Sequence, residues 1–132
     1  MAPKPGKTPD LVLDRLKTRA DFLRAQRGIR RAAPGLTLEV CAAPVPVPGR
    51  IRVGFTASRK VGNAVARNRA KRRLREAAAA LLPLYGEDGN DYVLVARKAT
   101  LERPWAGLLS DLSSVLQAAH AKSGRSKPGG LP

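Results

Sequence analysis

Apolar and polar residues alternate with a period of two in several segments of the chain, which is the pattern of half-buried strands. In RIRVGFTAS, Ile51, Val53 and Phe55 form an apolar face, and the intervening residues are small or polar. GLTLEVCAAP, which precedes it, predicts another strand, and the Pro-rich residues 42–49 between them predict a loop. The nearly continuous apolar run in DYVLVARK predicts a third strand that is buried on both faces.

A period of three to four residues predicts helices near both ends of the folded region. In TRADFLRAQRG, Thr18 is a suitable N-cap with Asp21 three residues later, and Gly28 can end the helix. The last helix is expected to begin at Pro104, since proline is favoured at a first helical position. Its buried residues are expected to be Leu108, Leu109, Leu112, Val115, Leu116 and Ala119.

The longest helix is expected between the second and third strands. Asn63 is a suitable N-cap, and we expect the helix to end at Leu82 because Pro83 follows. On a helical wheel, its buried stripe comprises Ala66, Ala70, Leu74, Ala77 and Leu81.

The order of these elements, α, β, β, α, β, α, predicts a small α/β sandwich. The chain has 132 residues, which is enough for one domain with a modest core. We place that domain at residues 15–120. Residues 1–14 and 121–132 are expected to be mobile tails, because they are rich in Pro, Gly, Lys and Ser.

The composition adds a strong constraint, because 25 Lys and Arg residues outnumber 10 Asp and Glu residues and give a formal charge of +15. This excess indicates a polyanionic partner. The long helix carries much of it, since VARNRAKRRLRE has six basic residues in nine positions, and no acidic residue occurs from Val40 to Arg75. A helix face kept only for solubility would include acidic partners at i,i+4, so we interpret this face as a surface for nucleic acid.

Other kinds of site find little support in the sequence. One cysteine, Cys41, and one histidine, His120, cannot form a zinc site, and no Gly-rich phosphate-binding loop is present. Glu87, Asp88 and Asp91 cluster in YGEDGNDY, which is more typical of a solvated turn than of a two-metal site. The chain lacks an apolar run of membrane-spanning length and a secretory signal, so we expect a cytoplasmic protein without a membrane partner.

A sheet with one polar face suits single-stranded RNA better than the major groove of DNA. Strand alternation sends Arg52, Gly54, Thr56 and Ser58 to that face. Aromatic residues are too few for a broad stacking platform, so base stacking would be local. Phe22 on the first helix is the best candidate, and the alternative is that it only anchors this helix to the core.

The segment FTASRKVGNAVARNRAKRRLREA, which begins at Phe55, resembles the signature of the bacterial ribonuclease P protein subunit. The segments RLKTRADFLRAQRG and DYVLVARKAT are similar to the family's first helix and last strand, so the resemblance covers about residues 15–120. It implies an αβββαβα order, a four-stranded sheet and a left-handed βαβ crossover of the ribosomal-protein-like type. The fourth strand rests on the resemblance alone.

The resemblance also implies an endoribonuclease subunit that acts in tRNA processing. In this family the ribonucleoprotein removes the 5′ leader of precursor tRNA. The protein is the one-to-one partner of a catalytic RNA subunit, and Mg²⁺ is bound mainly by the RNA components. No catalytic residue and no metal ligand are therefore expected in this chain.

Two binding surfaces follow from the resemblance. One helix of the family faces the RNA subunit, and its counterparts here are Arg67, Asn68, Arg69, Lys71, Arg72 and Arg75. A cleft between the first helix and the sheet takes the leader. With Arg52 added from the strand alternation, the predicted leader-binding set is Phe22, Arg52, Thr56, Ser58, Arg59 and Lys60. Many members have a second aromatic residue one turn after the first, where this chain has Gln26.

Two alternatives to this function remain. A ribosomal or other structural RNA-binding protein would share the charge and the absence of an active site. A self-sufficient nuclease would use Glu87, Asp88 and Asp91 to cut RNA without an RNA subunit.

Overall fold

The computed structural model describes residues 12–122. The strands are β1 (Val12–Arg15), β2 (Ile29–Ala33), β3 (Leu36–Ala42), β4 (Arg50–Thr56) and β5 (Asn90–Ala96). The helices are α1 (Arg19–Gln26), α2 (Ala64–Tyr85) and α3 (Trp105–Lys122). A first 3-10 helix (Arg59–Val61) follows β4, and a second (Lys98–Leu101) follows β5.

The strands form one five-stranded sheet in the order β1-β4-β5-β3-β2. β1, β4 and β5 are parallel, whereas β3 runs antiparallel to both β5 and β2. α2 joins the adjacent parallel strands β4 and β5, so both strands end at the same edge of the sheet. The two 3-10 helices lie together at this edge, beside α2.

The mixed α/β fold expected from the sequence is confirmed, but the sheet has five strands rather than four. β1 begins at Val12, so the prediction of a mobile tail is wrong for residues 12–14. Residues 1–11 lie outside the residues that the structure describes. β2 has the sequence IRRAA, which lacks apolar alternation because it is an edge strand. At the other end, α3 continues to Lys122, past the expected boundary at residue 120.

The boundaries of α1 follow local backbone chemistry. Thr18 caps the helix as expected, and its Oγ1 accepts a hydrogen bond from the Asp21 N–H at 3.2 Å. α1 ends immediately before Gly28, as expected, with Arg27 as its C-cap. Gly28 also has a second role. It lies so close to β3 that a Cβ would be 2.1 Å from the Val40 carbonyl oxygen.

α2 begins at the expected cap, since the Asn63 Oδ1 accepts a hydrogen bond from the first turn at 2.9 Å. It does not end before Pro83 but continues to Tyr85. Pro83 lies in the last turn, where its missing N–H removes a single intrahelical hydrogen bond. The Gly86 N–H still bonds to the Leu82 carbonyl at 2.7 Å and closes the helix.

One face of the sheet is covered by α2 and α3, and this interface holds the main apolar core. α2 buries the expected Ala70, Leu74 and Ala77, together with Ala78 and Leu82, whereas Ala66 and Leu81 are only partly buried. α3 begins one residue after Pro104 and buries Leu108, Leu112, Val115, Leu116 and Ala119, with Leu109 partly buried. Each fully buried leucine contributes about 1.5–3 kcal/mol to stability.

The other face of the sheet is covered only in part, by α1. Leu16, Ala25 and Val93 form a small buried cluster there, and Phe22 packs against it. The Phe22 ring also lies over Gly54 of β4, where a Cβ would meet ring carbons at 2.5 and 2.6 Å. Glycine at this position therefore allows α1 to approach the sheet.

A partly buried ion-pair network joins α1 to the central strands. Asp91 of β5 is fully buried and accepts two hydrogen bonds from Arg52 of β4, at 2.6 and 2.8 Å. Arg52 also donates to Asp21 of α1 at 3.1 Å, and Arg24 pairs with the same carboxylate. Burial by itself would raise the pKa of Asp21, but hydrogen bonds from Thr18 and Arg52 outweigh it and lower the pKa below its usual value.

Thr100 of the second 3-10 helix is fully buried and tethers the turn between β2 and β3. Its Oγ1 donates to the Gly35 carbonyl at 2.6 Å and accepts a hydrogen bond from the Arg97 N–H at 2.8 Å. Asp111 of α3 holds the same turn, accepting from the Gly35 N–H at 2.9 Å and from Arg103 Nε at 2.8 Å.

We expect Thr100→Val to lower the free energy of unfolding by about 2 kcal/mol, because the Gly35 carbonyl and the Arg97 N–H lose their partner. Denaturant titration measures this loss. Ser114→Ala, on the exposed side of α3, is the control and should change stability by less than about 0.5 kcal/mol. Equal stabilities of Thr100→Val and the wild type would contradict the proposed tether.

Glu39 of β3 generates a prediction on pH dependence. It is 3% exposed, and its carboxylate accepts a hydrogen bond from Arg30 Nη1 at 2.6 Å. Burial raises the pKa of Glu39 above its ordinary 4.5, and Arg30 opposes the shift only in part. The folded chain then binds this proton more tightly than the unfolded chain. The contribution of Glu39 to the free energy of unfolding therefore falls as the pH rises from 4.5 through the raised pKa of its carboxyl group.

We expect Glu39→Gln to melt at a higher temperature than the wild type at pH 7, because a neutral amide loses less hydration on burial. At pH 4 the difference should shrink, since the wild-type side chain is then largely neutral as well. Thermal melting at both pH values measures the effect. A variant that melts below the wild type at pH 7 would show that the pair with Arg30 outweighs burial.

Candidate nucleic-acid interface

α2 presents its basic residues on the side that faces away from the sheet. Asn68, Arg69, Arg72 and Arg75 are exposed, whereas Arg67 and Lys71 are half-buried. A groove of about 470 Å³ is lined by Val65, Asn68, Arg69, Arg72 and Arg75. Five of the six residues predicted to contact the RNA subunit are cations, and the buried stripe of α2 holds them on one rigid helix.

Some cations of α2 have intramolecular partners. Arg67 Nη1 donates to the Gly62 carbonyl at 3.0 Å, which ties it to the turn before the helix. Arg73 Nη1 donates to a carbonyl of the second 3-10 helix at 2.6 Å. The Arg75 guanidinium carbon lies 5.9 Å from the centre of the Phe55 ring, within the range of a cation–π contact.

A cleft of about 540 Å³ lies between α1 and the uncovered part of the sheet. Phe22 and Gln26, one helical turn apart, line it from α1, and Thr56 lines it from the end of β4. The other lining residues are Arg19, Leu23, Arg30, Glu39, Phe55, Val93 and Val95. Aromatic, polar and cationic side chains thus meet in one cavity, as recognition of a single-stranded nucleic acid requires.

The position of Phe22 fits both roles that the sequence leaves open, and base stacking stays a prediction. It is half-buried and packs on Gly54, so it anchors α1 to the sheet. It also forms part of the cleft wall. Substitutions must therefore separate packing from any contact with a ligand.

A second groove of about 540 Å³ continues the cleft toward the edge where β4 and β5 end. It shares Arg30 with the cleft. Ser58 and Lys60, which belong to the predicted leader-binding set, line this groove together with Arg97 and Lys98.

Two residues of the predicted leader-binding set line neither of these cavities. Arg59 is exposed on the first 3-10 helix. Arg52 lies on the expected face of β4, but its guanidinium is bonded to Asp91 and Asp21. In the structure Arg52 therefore holds α1 and β5 together.

Four cations that line these cavities lie outside the predicted site sets, and they are Arg19, Arg30, Arg97 and Lys98. Arg19 is the first residue of α1. Arg30 belongs to β2, which the hydrophobic pattern does not reveal. Arg97 and Lys98 directly follow β5. The order β4-α2-β5 could have located Arg97 and Lys98, because two parallel strands joined by a helix end at the same edge of the sheet.

The acidic turn does not assemble a metal site. Asp91 is bonded to Arg52, Asp88 accepts a hydrogen bond from a backbone N–H before β4 at 2.8 Å, and Glu87 lies 3.4 Å from His120 Nδ1. Within residues 12–122, no group of three or more His, Cys, Asp or Glu side chains could hold a metal ion. None of the helices in that range is both long and apolar enough to cross a membrane.

Comparisons with known proteins agree on one family. The family model described as Ribonuclease P matches residues 13–120. The Ribonuclease P protein component of Paramagnetospirillum magneticum is 54% identical over 114 residues, covering 83% of this chain and 84% of that protein. Its counterpart from Ruegeria pomeroyi is 51% identical over 107 residues, covering 80% and 86%. A solved mutant of the Staphylococcus aureus RNase P protein has a TM-score of 0.68 and 29% identity, covering 80% of this chain and 87% of that chain. By sequence and by fold, the chain belongs to the ribonuclease P protein family.

Proposed function

We propose that this chain is the protein subunit that binds the catalytic RNA of ribonuclease P and the 5′ leader of precursor tRNA, and so assists endonucleolytic removal of the leader. The observation that carries this proposal is the position of two cation-lined surfaces, on α2 and in the cleft beside α1. They lie on opposite faces of one sheet. Two RNA molecules can therefore be bound at the same time.

The RNA subunit is assigned to the exposed side of α2. Each phosphate that meets a Lys or Arg side chain releases counterions, which makes such binding strong and sensitive to salt. Because packing fixes the helix, its backbone is already ordered before binding, and only the side chains lose conformational freedom. The proposed contacts are Arg67, Asn68, Arg69, Lys71, Arg72 and Arg75.

The leader is assigned to the cleft and to the groove that continues it. Phe22 offers a stacking surface for one base, and Gln26 offers an amide where many family members have an aromatic ring. Thr56 adds a hydroxyl at the end of β4, and Ser58 and Lys60 line the path further along. A single strand can pass along this path because its bases are free to stack and to form hydrogen bonds.

The two predicted residues outside the cavities have other proposed roles. Arg52 acts indirectly, since it holds Asp21 and with it α1, which forms one wall of the cleft. Arg59 is exposed beside Lys60 and adds positive charge near the second groove.

Phosphodiester hydrolysis is assigned to the RNA subunit. Within residues 12–122, the acidic turn of Glu87, Asp88 and Asp91 does not fit a magnesium site, because the Asp91 carboxylate is buried and bonded to Arg52. Mg²⁺ is accordingly assigned mainly to the RNA components, and this chain contributes binding and orientation. A one-to-one complex in the cytoplasm completes the proposal.

Reconstitution tests this function directly. Purified chain and ribonuclease P RNA are mixed with precursor tRNA at low magnesium, and cleavage at the mature 5′ end is measured. Cleavage should require both components. Cutting by the chain alone would instead favour a self-sufficient nuclease. Sedimentation with ribosomes, without stimulation of the RNA subunit, would favour a structural RNA-binding protein.

The α2 surface generates a prediction on assembly. Arg69→Ala combined with Arg72→Ala should weaken binding to ribonuclease P RNA at least about 10-fold, because one charge-assisted hydrogen bond contributes about 1.5–3 kcal/mol. The plot of log affinity against log salt should become shallower by roughly 1.5, since each lost phosphate contact removes about 0.7–0.9. Filter binding over a series of salt concentrations measures both quantities.

Lys17→Ala combined with Arg27→Ala is the matched control for that pair. Both residues are exposed and flank α1, so the double variant removes the same charge from the other side of the sheet. Its affinity for the RNA subunit should stay close to that of the wild type. If both double variants lose affinity equally, the effect is one of net charge, and the assignment to α2 fails.

The cleft generates a prediction on the leader. Phe22→Ala should weaken precursor tRNA binding by the holoenzyme roughly 5- to 150-fold, because stacking of one base contributes about 1–3 kcal/mol. Mature tRNA lacks the leader, so its affinity should be nearly unchanged. Assembly with the RNA subunit should also be preserved.

Phe22→Leu separates stacking from packing. Leucine keeps an apolar side chain over Gly54 but has no aromatic face, so the variant should melt close to the wild type and still lose leader affinity. If Phe22→Leu instead binds precursor tRNA as tightly as the wild type, Phe22 serves only as the anchor of α1.

A further inference from the structure

Trp105 is a large aromatic residue left at the surface. It is the single tryptophan of the chain and the first residue of α3, and it is 41% exposed. Tryptophan is enriched at interfaces because its large ring gains much from burial, so a partly exposed ring is a candidate contact for a partner.

The Trp105 ring lies next to a cationic side chain. The Arg73 guanidinium carbon lies 6.0 Å from the Trp105 ring centre. Arg73 Nη1 is fixed by hydrogen bonds to the carbonyls of Thr100 and Leu101, at 2.6 and 3.2 Å. Arg73 therefore holds the ring and adds positive charge, and it is not free to reach far from the surface.

Trp105 is placed next to the cationic surface of α2. Arg73 and the exposed Arg69 are one helical turn apart, so they lie on the same side of α2. The exposed Lys98 begins the second 3-10 helix, which packs against α2. Glu102 is an exposed acid close in sequence, but the cations outnumber it.

The exposed ring and the cations near it indicate what kind of partner would bind. An exposed aromatic surface flanked by cations matches an unpaired nucleobase and its phosphates, because every base offers a face for stacking and each phosphate pairs with Lys or Arg. An apolar protein partner would require an apolar surround, whereas Arg73 contacts this ring and Arg69 lies one helical turn away on the same side of α2.

We propose that Trp105 is a contact for the RNA subunit and stacks on one of its unpaired bases, with Arg69 meeting an adjacent phosphate. This inference rests on the proposed function and extends the RNA surface from α2 to the start of α3.

Tryptophan fluorescence tests the contact directly, because Trp105 is the only tryptophan in the chain. The full wild-type chain is titrated with ribonuclease P RNA while its fluorescence and its quenching by acrylamide are recorded. Emission should change, and protection from acrylamide should saturate at the RNA concentration at which filter binding saturates. Mature tRNA without the RNA subunit should give no protection at these concentrations.

Two variants complete the experiment. Trp105→Leu should lose affinity for the RNA subunit roughly 5- to 150-fold, the range expected for one stacked base. Trp105→Phe, which keeps an aromatic face, should recover most of this loss. The additional affinity for precursor over mature tRNA should be unchanged in both variants, because the cleft lies on the other face of the sheet.

The inference fails if Trp105→Leu binds the RNA subunit like the wild type, or if wild-type Trp105 stays open to acrylamide in the saturated complex. It also fails if Trp105→Leu changes only the melting temperature. Each of these results leaves the proposed function intact, since the wild type still binds. A wild-type chain that does not bind ribonuclease P RNA would overturn the proposed function itself.

Discussion

The pair between Arg52 and Asp91 is the interaction on which the rest of the structure depends. Asp91 is fully buried, and a buried carboxylate is tolerated only when it is paired. The pair crosslinks β4 and β5, the two central strands that α2 connects. Removal of one partner from such a pair costs about 3–5 kcal/mol, because the other charge stays buried. Through Asp21, the same guanidinium also holds α1 on the sheet.

The cleft is a consequence of how α1 is held. The ion pair of Asp21 with Arg52 holds α1 on the sheet. Phe22 packs directly on β4, because Gly54 has no side chain that would clash with its ring. The rest of that face remains open between α1 and β2, and Arg30 reaches into it from the edge strand. The cavity therefore owes its shape to strand and helix residues, which are more rigid than loops.

The sequence predicts those parts of the fold that have a long apolar period. α2, α3 and the strands β3, β4 and β5 are of this kind, and the cap residues Thr18 and Asn63 locate two helix starts. β1 has four residues and β2 has five, two of them arginine, so neither carries a recognisable period, and only the folded sheet shows where they pair. α2 continues through Pro83 although a proline usually ends a helix at the preceding residue, and only the folded structure shows this continuation.

The sequence also predicts only part of the candidate site. Phe22 and Thr56 lie in the expected cleft, because a local motif and strand alternation specify their positions. Strand alternation also gives the face of Arg52, but it cannot show that buried acids from β5 and α1 occupy its guanidinium. Such pairings join residues 31 and 39 positions apart in the chain, so they become visible only in three dimensions.

The position of α2 and the cleft on opposite faces of the sheet has a mechanical consequence. Ligands on the two surfaces are separated by one layer of hydrogen-bonded strands and by the helix that packs on it. This layer is close-packed and resists compression. The protein therefore acts as a spacer of fixed thickness, and it sets the distance between whatever binds α2 and whatever enters the cleft.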